Sequence, residues 1–235
     1  MRHTKTLRLA GFIAAVAFLS GCATTVPMPK VSYNGPAVQN SPLADKTVAL
    51  VTTTTGDKFN DPECSDLTIV RKACRHTTLD SKTSIQDYNK LMAEALTEEG
   101  AKVVADPPAD IVIHTHMIPM VKHHYMFLLN YDEGHTMAMQ LIPFYGNFSP
   151  RYFHVIGHMD DVVTVTNPKG DKVLSKSYPI SVRKQITGSD HASFTYNGSA
   201  SKADNVYLSS QSAVIAKILV DTNQKLQAQG STTPP

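Results

Sequence analysis

The chain has little of what usually betrays a function. Its 22 Lys and Arg stand against 20 Asp and Glu with no long run of either sign, so charge selects neither nucleic acid nor an anionic surface. Its one extended apolar run, Leu9–Leu19, is 11 residues. As a helix that run covers about 16 Å at roughly 1.5 Å per residue, too short for a hydrocarbon core of about 30 Å. No G-x-S-x-G, H-E-x-x-H, phosphate-binding P-loop or G-x-G-x-x-G occurs, which removes the usual support for hydrolases and nucleotide binders. Asp160 and Asp161 are adjacent, and a strand sends neighbours to opposite faces, so they cannot share acid–base work. The expectation is a protein that is not an enzyme.

What is present begins at the amino terminus. Arg2, Lys5 and Arg8 precede the apolar run, and the small residues Ser20 and Gly21 lead to Cys22, the layout of a signal peptide. The tetrad Leu19-Ser20-Gly21-Cys22 resembles the lipobox of bacterial lipoproteins. That resemblance implies removal of residues 1–21, acylation of Cys22 and a durable hold on a membrane through several acyl chains. Ala23 is not the aspartate associated with inner-membrane retention, so the expected location is the periplasmic side of the outer membrane. Cleavage would leave 19 basic against 20 acidic residues, since Arg2, Lys5 and Arg8 go with the peptide.

Residues 22–45 hold Pro27, Pro29, Gly35, Pro36 and Pro42 and read as a lipidated cysteine on a flexible tether. A single domain is expected over 46–229, with a disordered tail at 230–235. Thr47–Thr54 is β-branched enough for a strand. Ser84–Gly100 places Ile85, Tyr88, Leu91, Met92, Ala95 and Leu96 on one helical stripe, stopped by Gly100. Lys102–Ala105 and Asp110–Ile118 follow as strands, residues 121–142 as two strands around Asp132-Glu133-Gly134, and residues 151–166 with 171–183 as a longer hairpin turning at Asn167–Asp171. Gly188–Lys202 reads as a loop, and Asp204–Gln229 as a closing helix. The expected class is α+β, a mostly antiparallel sheet with two main helices packed on one side.

Four stretches, Lys46-Thr47-Val48-Ala49-Leu50, Ala95-Leu96-Thr97-Glu98-Glu99-Gly100, Ala109-Asp110-Ile111-Val112-Ile113 and the hairpin Val163–Val173 around Pro168-Lys169-Gly170, are similar to small envelope lipoproteins. That group includes the curli-secretion lipoprotein, the penicillin-binding-protein activators and the amino-terminal domain of the Tol–Pal β-propeller protein. The resemblance implies a non-catalytic assembly or interaction module whose partner is another envelope protein or a second copy.

Histidine and methionine depart from that group. His114, His116, His123, His124, His135, His154 and His158, with Met117, Met120, Met126, Met137, Met139 and Met159, crowd into residues 114–159. On strands His114 and His116 share a face, as do Met137 and Met139. With His123 and His124 they form a candidate copper or zinc set, imidazole suiting either ion and thioether selecting cuprous copper. The heavier alternative is that the methionines fill a core and the histidines lie on a solvated face. No other cofactor is expected beyond the lipid on Cys22. Tyr125–Tyr131 is apolar in both alternations, so both faces of that strand need covering.

With Cys22 acylated, Cys64 and Cys74 are the remaining thiols, in a compartment where disulfides persist. Their spacing is not the C-x-x-C of redox or zinc chemistry. They are expected to form one disulfide that shapes the loop Asp57–Asp80 and stabilises by about 2–3 kcal/mol on the chain-entropy model. Reduction should lower the melting temperature without dissolving the fold, and mass spectrometry of periplasmic material should find both thiols blocked; two free thiols would contradict the pairing.

Overall fold

The computed structural model describes residues 31–36, 40–59, 81–120, 125–132, 134–135, 138, 151–188 and 197–230. In chain order the elements are β1 (Thr47–Thr54), β2 (Asp57–Phe59), α1 (Ser81–Glu98), β3 (Lys102–Val104), β4 (Ile111–Pro119), β5 (Tyr125–Tyr131), β6 (Arg151–Thr166), β7 (Lys172–Gly188) and α2 (Asn197–Gly230). Cys22, Cys64, Cys74, His123, His124, Met137 and Met139 lie outside the described residues.

The strands form one mixed sheet, mostly antiparallel, with both helices packed against it. Strand β6 is its axis. Along one edge β7 pairs with it from Arg151↔Gly188 to Thr166↔Lys172. Its other edge is shared: β5 takes Phe153–Gly157, and β4 takes Met159–Thr166. Parallel pairing then extends each branch, β4 to β1 to β3 and β5 to β2. The sequence leads one to expect a partner for β5 inside 121–142. Its antiparallel partner is instead β6, and β2 is an unforeseen strand beside it.

Local chemistry explains the ends. Gly100 adopts φ +85°, the left-handed conformation that closes a helix, with Gly100 N–H donating to Thr97 and Ala101 N–H to Leu96 at 3.0 Å each. In the β6–β7 turn the Asn167 side chain accepts from the amides of Lys169 and Asp171 at 3.0 Å, and Gly170 supplies φ +83°. Helix α2 starts at Asn197, inside the stretch expected as a loop, and β7 runs to Gly188, five residues beyond the expected end.

One sheet face is buried: Ile111, Ile113 and Met117 from β4, Phe153, Val155, Met159, Val163 and Val165 from β6, and Tyr178 and Ile180 from β7. Helix α1 covers it with Tyr88, Leu91, Met92 and Ala95, and α2 with Ala203, Tyr207, Val214, Ile215 and Ile218. Phe127 of β5 lies over Gly157 of β6 and meets Tyr207 edge-on at 5.3 Å between ring centroids. Met126, on the opposite face of β5, is as fully buried as Phe127, so the strand is covered on both sides at these two residues.

The packed chain reaches back before Lys46, where the domain is expected to start. Tyr33 and Leu43 are buried in the core. The Tyr33 amide donates to Glu94 of α1 at 2.7 Å. The buried Ser41 hydroxyl lies 2.8 Å from both Glu99 and Asn223, and Asn223 donates to Glu99 at 3.0 Å. A polar knot thus ties this segment to the end of α1 and to α2, so part of the expected tether is a strap on the helix layer.

Gly157 leaves no room for a side chain. A Cβ there would lie 2.4 Å from the Phe127 ring and 2.7 Å from Val182. Gly157→Ala should destabilise by about 1–3 kcal/mol through displacement of that ring; a chemical-denaturation midpoint equal to that of the parent would contradict this packing.

Candidate functional site

The open face of the sheet carries the histidines. His114 is exposed and His116 half-buried on the solvent side of β4, sharing a face as their spacing predicts. The His116 Nδ1 lies 2.8 Å from the Thr53 hydroxyl of β1, which fixes that ring on the sheet. His158 lies on the same face of β6, in line beyond Ile118, so the imidazoles are spread along the sheet and not gathered. Among the described residues no group of three or more His, Cys, Asp or Glu is placed to hold one metal ion.

A second feature closes the end of β5 on β6. Asp132 accepts from the His135 amide at 3.0 Å and lies 3.0 Å from His154 Nε2, while its own amide donates to the Tyr152 carbonyl at 2.9 Å. The His135 ring meets Tyr152 edge-on at 4.1 Å. The bond from the His135 amide, the largest effect, together with the His154 ring holds the Asp132 carboxyl below its ordinary range against the opposing effect of burial. A carboxylate, two imidazoles and a phenol at a strand end pin a junction.

The anomalous group is Asp161. It falls in phase with Phe153, Val155, Met159, Val163 and Val165, and so enters the core with no exposed surface. Neither carboxyl oxygen has a hydrogen-bond partner among the described residues. Its charge raises the hydroxyl pKa of Tyr88 on α1 and of Tyr207 on α2 beyond what their burial alone does. Burial, with the charge of Asp160 second, pushes Asp161 up to about 8 from an ordinary 3.8. Asp161 therefore keeps its proton in the folded protein at neutral pH. The adjacent acids do occupy opposite faces; the apolar phase of β6 was the signal that one of them is buried.

The third feature is the seam between β7 and α2. Two grooves lie along it. One, of about 500 Å³, is lined by Lys176, Tyr178 and Pro179 of β7 and by Val214, Lys217 and Asp221 of α2. The other, of about 600 Å³, is lined by Lys184, Gln185 and Thr187 of β7 and by Lys202, Asn205 and Ser209 of α2. In the first, Asp221 accepts from both Lys176 and Tyr178 at 2.7 Å, with the Lys176 ammonium 5.1 Å from the Tyr178 ring centroid. Burial would raise the Asp221 carboxyl, but these two bonds together with the charges of Lys176 and Lys225 outweigh it and hold it low. Burial and then Asp221 push the Tyr178 hydroxyl far up, so it remains a donor. In the second groove Lys202 donates to the Thr187 carbonyl and, at 3.1 Å, to its hydroxyl.

No family model and no curated protein matches the chain. Among solved structures it is similar to a protein of family DUF330 from Xanthomonas campestris, with TM-score 0.46 and 8% identity over 86% of this chain and 98% of that one. It is similar to a putative neuraminyllactose-binding hemagglutinin homolog from Helicobacter pylori, with TM-score 0.41 and 12% identity over 88% and 100%. A third is the rare lipoprotein B from Shewanella oneidensis, with TM-score 0.28 and 13% identity over 79% and 95%. Likenesses at these values settle neither family nor function.

Asp161 gives a signed prediction. Because its folded pKa of about 8 exceeds the ordinary 3.8, the folded state binds the extra proton between those values. The contribution of this group to stability is then greatest below about pH 4, falls as pH rises toward 8 and is level above, a total on the order of 5 kcal/mol. Asp161→Asn should remove that slope, matching the parent near pH 4 and exceeding it by a few kcal/mol at pH 8 in thermal melts. Equal slopes for the two proteins would contradict the assignment.

Proposed function

We propose that this protein is a lipid-anchored envelope protein, acylated at Cys22, facing the periplasm from the outer membrane and serving as a non-catalytic assembly or interaction module. The observation that carries this reading is the ordered sequence of basic residues, an 11-residue apolar run and Leu19-Ser20-Gly21-Cys22. The strap supports it. Val31 follows Cys22 by nine positions, a reach of at most about 30 Å at ~3.3–3.6 Å per residue, and the chain is tied to both helices from Tyr33 and Ser41 onward. Such a segment transmits a lipid anchor to the folded domain over a short lead. Among the described residues no helix is long and apolar enough to cross a membrane, and this reading assigns membrane attachment to the acyl chains.

Metabolic labelling with a fatty acid in the native bacterium tests it. The parent should take up label and fractionate with outer membranes, whereas Cys22→Ser should lose the label and appear in the soluble periplasmic fraction. A Cys22→Ser protein that stays on membranes would contradict attachment by lipid, and failure of the parent to take up label would remove the lipoprotein reading.

A further inference from the structure

Strand β7 ends the sheet with one whole edge unpaired among the described residues, since it bonds to β6 alone. Three observations agree on which of its residues face outward. On the far edge of β6 the carbonyls of Tyr152 and His158 accept from Asp132 and Met120, so the even-numbered residues of β6 point away from β7. The odd-numbered ones therefore bond to β7, where the register pairs them with even-numbered residues such as Tyr178, Ile180 and Val182. Pro179, which has no N–H to give, is odd-numbered. So is Thr187, whose carbonyl takes the Lys202 ammonium. The backbone groups of Ser177, Pro179, Ser181, Arg183 and Gln185 thus point to the free side.

The charge along this edge has one sign. Strand β7 carries Lys172, Lys176, Arg183 and Lys184 and no acid. On the helix side of the edge the two grooves add Lys217 and Lys202, and the one acid lining them, Asp221, is held by Lys176 and Tyr178. Pairing of two such edges about Ile180 would set Lys176 against Lys184 in both directions, and like charges opposite one another destabilise a ladder. Lysine on an edge strand is a device against self-association, and its complement is an acidic strand.

We infer that the Ser177–Gln185 edge of β7 takes an extended acidic peptide from another protein as an added strand, its alternate carboxylates entering the lysine-lined grooves against α2. Main-chain bonds to Ser177, Ser181, Arg183 and Gln185 supply the affinity, and Lys176, Lys184, Lys202 and Lys217 supply the selection. This deepens the interaction-module reading by naming the surface and the chemistry of the partner, but it does not depend on how the protein is anchored.

The test uses the full-length chain in detergent and a fluorescein-labelled (Glu-Val)5 peptide, read by anisotropy. The peptide should bind, weaken with rising salt, and bind at least about tenfold more tightly than (Lys-Val)5. Ser181→Pro removes one outward N–H without touching a bond to β6, and should cost about tenfold in affinity at unchanged melting temperature. Lys184→Glu/Lys217→Glu, which leaves the Lys176–Asp221 pair in place, should reverse the preference between the two peptides. Equal binding of both peptides, or binding indifferent to both variants, would overturn the inference. So would a dimer abolished by Ser181→Pro, which makes a second copy the occupant, or binding to phosphatidylglycerol vesicles lost in the double lysine variant, which makes the edge a lipid site. Loss of fatty-acid labelling would leave these measurements unaffected, so the two readings fail separately.

Discussion

Everything in this sheet depends on β6 being bonded on both edges along its whole length. One edge belongs to β7, and the other is divided between β5 and β4, so no other strand touches more than a part of the fold. That demand sets its composition. Every second residue from Phe153 to Val165 must suit the core, and the two departures in that row have distinct causes. Gly157 yields the space that the Phe127 ring needs beneath Tyr207. Asp161, fully buried, tolerates its site by keeping a proton.

The same arrangement leaves β7 with a long edge. Folded domains ordinarily blunt such an edge, and here the means are visible: Pro179 breaks the row of donors, Lys202 caps the Thr187 carbonyl, and like charges oppose self-pairing. Among the described residues these devices bar indiscriminate pairing and leave the backbone between Ser177 and Gln185 bonded to no further strand, with Pro36 and Asn34 of the strap lining the grooves beside it. The Lys176–Asp221–Tyr178 cluster holds α2 against the strand beside this opening, so the grooves keep a fixed width. An edge that is chemically selective and mechanically supported differs from a loose one, and that difference separates recognition from aggregation.

Much of this was legible in the chain. The β6–β7 hairpin follows from two β-branched runs around an Asn-Pro-Lys-Gly-Asp turn, and the end of α1 from Gly100, because these are local conformational facts. The helix layer follows from 3–4 residue spacing in both helices. What local chemistry does not specify is pairing at a distance: that β5 bonds to β6, or that three residues at Asp57–Phe59 lie parallel to β5. Proline-rich composition concealed the strap because its anchoring groups, Tyr33, Ser41 and Leu43, are isolated and find Glu94, Glu99 and Asn223 only in the folded state. For the candidate site, the shared face of His114 and His116 was readable from strand periodicity, but the spread of the histidines was not. The cationic seam was hidden as well, because its lysines come from two elements that meet side by side only after α2 packs on β7.

Native-state hydrogen exchange along β7, in the free protein, tests the central claim that β7, bonded to β6 alone among the described residues, keeps its outer backbone edge unpaired. Amides of Tyr178, Ile180, Val182, Lys184 and Ile186 should exchange slowly, with protection approaching that of β6, while those of Ser177, Ser181, Arg183 and Gln185 exchange quickly. Slow exchange at both sets would mean that another segment already occupies the edge, and fast exchange at both would mean that β7 is not held by β6; either result contradicts the account.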